Sequence, residues 1–198
     1  MTKELSQDSF KLSSNKLPNT PVNFTSTLRR NNFPYEALRY LERVNCYEAF
    51  IDKQADIRYD YKQNRVVFCV TDKEGITVDA AGRAVKTDIK PKWFRYASAR
   101  VPFICGTSKH GVIVEDCASA TRIGKLVTGI SLLGTYLFEG ALNFLENYDK
   151  ITIALDHDAT IKAFDMIRDI KWRVEDVNMV VLETDLKNLS DEKDVRRI

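Results

Sequence analysis

Long apolar runs and phosphate-binding loops are both missing from this sequence. No run approaches the roughly 18 apolar residues of a membrane-spanning helix, and the first residues lack the apolar stretch of a signal peptide. We therefore expect a cytoplasmic protein with no membrane partner. The GxxxxGK(S/T) motif is also absent, which excludes a P-loop ATPase motor within this sequence.

Cysteine and histidine are scarce. The four cysteines, at positions 46, 69, 105 and 117, form no CxxC pair, and the two histidines lie far apart at 110 and 157. A structural zinc site needs four such ligands at short spacings, so we expect no zinc. The cysteines are then expected to be reduced and largely buried thiols.

Charge is distributed unevenly, although the net charge is only +2. Residues 29–110 contain sixteen Lys and Arg against ten Asp and Glu, whereas residues 111–198 contain eleven against sixteen. Chance scatter on solvated faces can produce such an asymmetry. The alternative is a division of labour, in which a basic part binds phosphates and an acidic part binds metal.

The chain divides into three parts by composition and periodicity. Residues 1–23 are rich in Ser, Asn, Lys and Pro without a sustained apolar period, which is typical of a flexible leader. In residues 24–110, a helix followed by short strands and turns predicts an α+β subdomain with a small mixed or antiparallel sheet. In residues 111–198, strands alternate with helical segments, which predicts a mostly parallel sheet flanked by helices. The expected fold class is α/β.

Acidic residues follow three predicted parallel strands, at 112–114, 151–155 and 177–182. The carboxyl ends of parallel strands meet at one edge of a sheet, where α/β folds build their sites. Magnesium prefers oxygen ligands and retains several waters, so a few carboxylates suffice. The pattern predicts a Mg²⁺ or Mn²⁺ site whose ligands are Glu115, Asp156, Asp158 and Asp185. Glu115, set slightly apart, is also a candidate general acid or base.

These acidic residues have structural alternatives. The two aspartates after the second strand are also suited to capping the helix predicted near Thr160. The acidic pair after the first strand would equally suit a solvated loop. Glu183 and Asp191 are alternatives to Asp185 as the metal ligand that follows the third strand.

A basic and aromatic segment precedes the acidic half. Its charged residues include one acid, Asp88, and the bases Arg83, Lys90, Lys92, Arg95 and Arg100, interleaved with Trp93, Phe94 and Tyr96. Such a segment can hold single-stranded nucleic acid through phosphate contacts and base stacking. It can also be an edge loop whose aromatic residues pack and whose charges are solvated. We favour nucleic-acid or nucleotide binding by Arg83, Lys90, Lys92 and Arg95.

The acidic half resembles a Toprim domain, the metal-binding module shared by bacterial-type primases, topoisomerases and some nucleases. Four ordered segments carry the resemblance. They are Val114-Glu115, a turn at 131–135 similar to the LLGT turn of primase-type members, Asp156-His157-Asp158, and 185–192, similar to the DPKD.SDEE segment of phage versions. The resemblance implies catalytic roles for Glu115, Asp156 and Asp158.

The basic half resembles the subdomain that precedes Toprim in primases. Residues 65–68, 82–83 and 90–93 are similar to its R-x-x-F-P, G-R and P-K-Y segments. Cys69 replaces the usual proline and Trp93 replaces the tyrosine, and both changes leave the predicted metal ligands intact. From about Phe33 onward, the sequence is therefore similar to phage-type, bacterial-like DNA primase catalytic cores.

This resemblance implies template-directed synthesis of RNA primers from ribonucleoside triphosphates on single-stranded DNA, a nucleotidyltransferase activity. It also implies a separate replicative helicase or template-recognition protein as a partner. If the protein is viral, the expected location is the cytoplasm of the host. Two alternatives stay open. A Toprim nuclease would use the same carboxylates with water as nucleophile, and a non-catalytic protein would only bind nucleic acid or a replisome.

Overall fold

Two five-stranded sheets form the structure, a computed structural model that describes residues 23–134, 136–156, 159–182 and 184–189. The first sheet is antiparallel and contains, in spatial order, β1 (Leu28–Arg29), β2 (Ile57–Asp60), β3 (Arg65–Thr71), β4 (Thr77–Ala84) and β5 (Trp93–Arg95). The second contains β6 (Phe103–Cys105), β7 (His110–Val114), β8 (Thr128–Ser131), β9 (Lys150–Asp156) and β10 (Asp176–Leu182), in the order β10-β9-β7-β8-β6. Strands β7 to β10 run parallel, whereas β6 is antiparallel to β8.

Helices cover both sheets. They are α1 (Tyr35–Arg43), α2 (Tyr47–Ile51), α3 (Cys117–Ile123), α4 (Glu139–Leu145) and α5 (Thr160–Ile170), with short 3₁₀ turns at Phe24–Thr27 and Leu186–Asn188. The predicted α/β fold, with an antiparallel sheet followed by a mostly parallel one, is confirmed. None of the described helices is long and apolar enough to cross a membrane.

A shared apolar core joins the two sheets. Phe68 of the first sheet and Phe103 of the second meet edge to face, with ring centroids 6.0 Å apart. Leu41 of α1 and Ile123 of α3 are buried in the same cluster. A second cluster covers the opposite face of the parallel sheet, where α4 and α5 pack on residues such as Ile153. The parallel sheet is therefore buried on both faces, as such sheets require.

Strands β5, β6 and β8 lie where the sequence pattern predicts none. The apolar spacing extends the helix over 119–128, but α3 ends at Ile123 and the last of these residues begins β8. A Cβ atom on Gly129 would lie 2.1 Å from the carbonyl oxygen of Ala120, so the glycine allows β8 to pack directly on the backbone of α3. A short strand that contains glycine is easily mistaken for a turn.

The second sheet begins at Phe103, ahead of residue 111 where the charge pattern changes sign. The division of the chain into three parts stays a prediction. All but the last residue of the predicted leader lie outside the described residues. The same holds for residues 191–197, where the sequence pattern also predicts a short helix.

Candidate active-site cleft

A cleft of about 320 Å³ lies between the two sheets. The first sheet contributes Ala81 of β4 and all of β5, which is Trp93, Phe94 and Arg95. The second sheet contributes residues that follow β7 and end or follow β8, which are Glu115, Asp116, Cys117, Ser131, Leu133 and Gly134. In the cleft, the acidic residues that follow β7 therefore face the basic and aromatic strand β5.

Glu115 and Asp156 lie at the same edge of the parallel sheet. Strands β7 and β9 are neighbours, with Ile113 opposite Ile153. Glu115 directly follows β7 and Asp156 ends β9, so the two positions are on adjacent strands, which are about 4.8 Å apart. Asp158 lies outside the described residues. Among the residues that are described, no three Asp, Glu, His or Cys side chains are arranged to hold a metal ion.

The turn after β8 holds the backbone of Glu115. The Ser131 hydroxyl donates a hydrogen bond to the Glu115 carbonyl oxygen at 3.2 Å, and it accepts one from the Leu133 amide at 3.4 Å. Leu133 adopts a left-handed conformation with φ 57°, which is uncommon for a residue with a branched side chain. This turn is the segment that resembles the LLGT turn of primase-type Toprim domains, and it forms one wall of the cleft.

Asp116 caps helix α3 and forms an ion pair. Its Oδ1 accepts a hydrogen bond from the Ser119 amide at 2.9 Å, which satisfies one of the free N–H groups of the first helical turn. Its Oδ2 lies 2.9 Å from the Lys187 ammonium, and the same ammonium contacts the Asp185 carboxylate. Burial disfavours the charged form of Lys187, but attraction to both carboxylates outweighs it and raises the Lys187 pKa.

Asp185 lies beyond the end of β10, next to the start of α3. The Ser119 hydroxyl donates to its Oδ1 at 3.5 Å. The following 3₁₀ turn is anchored by Leu186, which is fully buried. The structure thus brings Asp185 beside Asp116, while Asp116 and Glu115 line the cleft itself.

Arg83 is held between two aromatic rings beside the cleft. It is paired across strands with Trp93, and its guanidinium carbon lies 5.5 Å from the Trp93 ring centroid and 5.9 Å from that of Tyr40. Such contacts between a cation and a ring are favourable. The Arg83 Nε is buried without a hydrogen-bond partner among the described residues. Burial, reinforced by the charge of Asp116, raises the Tyr40 pKa, so this phenol stays neutral.

Arg95 lines the cleft but is also tied to a buried carboxylate. Its Nε donates to Asp79 Oδ2 at 2.7 Å, and the Asp79 side chain is 0% exposed. A second guanidinium nitrogen contacts the Ala99 carbonyl oxygen. Lys90 and Lys92, by contrast, are exposed in the segment between β4 and β5. Of the four predicted basic contacts, the structure places Arg95 in the cleft wall, Arg83 beside it, and the two lysines in exposed positions.

Four contributors to this region escaped sequence reasoning. Asp79 is a single acidic residue within a strand-forming run, Tyr40 lies in the largely polar segment of α1, and the long-range partners of both have no local signal. Lys187 lies in the segment 185–192, which resembles the DPKD.SDEE segment of phage versions. The sequence of that segment does not reveal that the Lys187 side chain contacts Asp116. Leu133 belongs to a matched motif whose only predicted role was a turn.

No protein-family model and no curated protein matches this chain. Solved structures do match it. The DnaG primase catalytic domain bound to ssDNA superimposes with a TM-score of 0.72 at 13% identity, covering 88% of this chain and 74% of that one. The Escherichia coli primase catalytic core has a TM-score of 0.64 at 14% identity, covering 82% and 69%. The primase fragment of the bacteriophage T7 primase-helicase has a TM-score of 0.52 at 13% identity, covering 73% and 64%.

These similarities establish the fold. The chain folds like the catalytic cores of DnaG-type primases, and the resemblance predicted from its motifs is confirmed at that level. Its two sheets and the cleft between them are the parts of the structure on which a functional proposal depends.

Proposed function

We propose that this protein is the catalytic core of a DNA primase, which joins ribonucleotides into RNA primers on single-stranded DNA. The observation that carries the proposal is the cleft, in which Glu115 and Asp116 face Trp93, Phe94 and Arg95. Acidic strand ends supply oxygen ligands, and a basic aromatic strand suits phosphates and bases. The primase-like fold supports the same assignment.

The carboxylates fit a divalent metal of the magnesium type. Glu115 and Asp156 supply hard oxygen donors from adjacent strand ends, which is the donor set that Mg²⁺ and Mn²⁺ prefer. We assign these two residues, with Asp158 and Asp185, as the candidate ligands, and Glu115, Asp156 and Asp158 as the candidate catalytic residues. A bound ion would stabilise the charge that develops on phosphate oxygens during nucleotidyl transfer.

The basic residues are assigned to the anionic substrates. We assign Arg95, in the cleft wall, and Arg83, beside it, to the triphosphate of a ribonucleotide. Lys90 and Lys92 are exposed and suit the template strand, whose phosphates bind lysine with little geometric demand. We also propose a separate helicase or template-recognition protein as the partner of this core. We expect the reaction to take place in the cytoplasm, that of the host if the protein is viral.

Incorporation of labelled ribonucleotides on single-stranded DNA tests this proposal. Short products should form with Mg²⁺ or Mn²⁺. Asp156→Asn should lower the yield by roughly 100-fold, a typical loss when one electrostatic contact to a transition state is removed. The matched control is Asp165→Asn, since Asp165 is an exposed residue of α5 that forms a surface ion pair with Arg168. This control should retain full activity.

Other outcomes replace the proposal with an alternative. Degradation of the template, lost in Asp156→Asn, would identify a nuclease that uses the same carboxylates. Binding of single-stranded DNA without either reaction, equal in both variants, would identify a non-catalytic interaction protein.

A further inference from the structure

We propose that Lys187 is a built-in cation that holds Asp116 and Asp185 together and competes with a divalent metal for Asp185. The proposal rests on the proposed function, because it assigns a role to Lys187 at that same site. It makes Lys187 a positioning residue that sets the metal affinity of Asp185.

The contacts of the two carboxylates carry the proposal. The Lys187 ammonium lies 2.9 Å from Asp116 Oδ2 and also contacts Asp185 Oδ2. The other oxygen of each carboxylate accepts from Ser119, through its amide for Asp116 and its hydroxyl for Asp185. Each oxygen of the two carboxylates therefore already accepts from a donor of the chain itself, and a metal ion that binds Asp185 has to approach the positive charge of Lys187.

Burial makes the ammonium an effective competitor. The side chains are only 14% exposed for Lys187, 16% for Asp116 and 28% for Asp185. Water screens charges poorly at such sites, so these contacts are stronger than those of a surface ion pair. Competition for Asp185 should therefore be measurable at ordinary ionic strength.

The backbone of Lys187 is anchored on both sides. The Asn45 side-chain amide donates to the Lys187 carbonyl oxygen at 2.9 Å, and the Arg122 Nε donates to that of Leu189 at 3.1 Å. On the other side, Leu186, which directly precedes Lys187, is buried in the core. Because the backbone is held, the ammonium can leave Asp185 only by rotation of its own side chain. This arrangement predicts weak metal binding at Asp185 relative to the edge formed by Glu115 and Asp156.

Manganese binding tests the proposal without reference to catalysis. The free Mn²⁺ signal in electron paramagnetic resonance measures binding to the intact protein, with no nucleotide or template added. Lys187→Met should tighten the weakest Mn²⁺ site about tenfold or more, because a positive charge near the ion is removed. Adding Asp185→Asn to that variant should abolish the gain. Lys187→Arg keeps the charge and should bind Mn²⁺ as the wild type does.

Lys125 provides a matched control. Its ammonium also bridges two carboxylates, Glu48 at 2.9 Å and Asp52 at 3.4 Å, but its partners are on α2 and just after it, and none of the three lines the cleft. Lys125→Met should leave Mn²⁺ affinity unchanged. A gain in Lys125→Met equal to that in Lys187→Met would mean that the effect is one of net charge, and the proposal would be wrong.

Thermal melting guards against a folding artefact. Without added metal, Lys187→Met leaves two facing carboxylates unneutralised, so it should melt below the wild type, and Mn²⁺ should raise its Tm more than that of the wild type. Lys187→Gln, which keeps a hydrogen-bond donor, serves if the methionine variant does not fold. Wild-type Mn²⁺ affinity in folded Lys187→Met or Lys187→Gln would overturn the proposal. If Asp156→Asn binds Mn²⁺ like the wild type, the proposed function fails instead, and the comparison between Lys187 and Asp185 still stands.

Discussion

Replacing Arg95 with methionine removes the charged partner of a fully buried carboxylate. In the native protein, Asp79 accepts from the Arg95 Nε at 2.7 Å and from the amides of Ala80 and Ala97 at 2.7 and 2.9 Å. Arg95→Met keeps most of the side-chain volume but leaves this carboxylate with two backbone donors and no cation. We therefore expect a loss of stability that an exposed basic residue would not show.

The size of the effect follows from the burial of the two partners. Removing one member of a buried ion pair costs about 3–5 kcal/mol. The Arg95 side chain is 37% exposed, however, while that of Asp79 is 0% exposed. Water therefore weakens the native pair, and we expect a loss of about 2–3 kcal/mol. In a chain of this size that corresponds to a fall in Tm of roughly 5–10 °C.

Urea and thermal melts followed by circular dichroism check this prediction. Lys92→Met is the matched control, because Lys92 is an exposed basic residue of the same segment and should change stability by less than about 0.5 kcal/mol. Asp79→Asn alone and combined with Arg95→Met completes a double-mutant cycle, with an expected coupling of about 1–3 kcal/mol. Arg95→Met as stable as Lys92→Met would refute the reasoning. Arg95 would then be free to act on substrate alone.

Two further predictions concern packing and ionisation. Gly129→Ala should prevent stable folding, because the added Cβ atom would lie 2.1 Å from the Ala120 carbonyl oxygen. A Cβ atom at Gly134 would have no atom within 4 Å, so Gly134→Ala should melt like the wild type. Equal melting temperatures of the two variants would contradict this packing. Burial raises the pKa of Cys105 to about 11 and that of Cys69 to about 12, so neither thiol should react with Ellman's reagent at pH 8 until the protein is unfolded. Because these pKa values are raised in the folded state, the contribution of the thiols to stability is complete below the ordinary thiol pKa of 9.0 and is lost as pH rises through 11 to 12. Thermal melts at increasing pH would show this loss.

Much of the fold was predictable because short, continuous apolar runs that end in acidic residues are typical of buried parallel strands. The runs that end at Val114 and at Asp156 are too apolar for a sheet with a solvated face, and they form the two central parallel strands β7 and β9. The short strands were not predictable. Gly129 is needed for close contact between β8 and the preceding helix α3, and only the tertiary structure reveals this contact.

The candidate site was predictable in part. Glu115 and Asp156 follow from the rule that parallel strands deliver their ends to one edge, and the structure places both there. The contacts of Arg95 with Asp79 and of Lys187 with Asp116 span 16 and 71 residues of sequence. Side-chain pairing over such separations depends on how the two sheets meet, so a single sequence does not encode it in any local pattern.

The measurement that tests the central claim most directly is the chemical identity of the product made by the wild-type protein. The protein would be incubated with single-stranded DNA, all four ribonucleoside triphosphates and Mg²⁺ or Mn²⁺. We predict short, template-complementary products that alkali destroys and that require both the metal and the Asp156 carboxylate. Alkali-resistant products, or the same products from Asp156→Asn, would contradict the assignment of this cleft to primer synthesis.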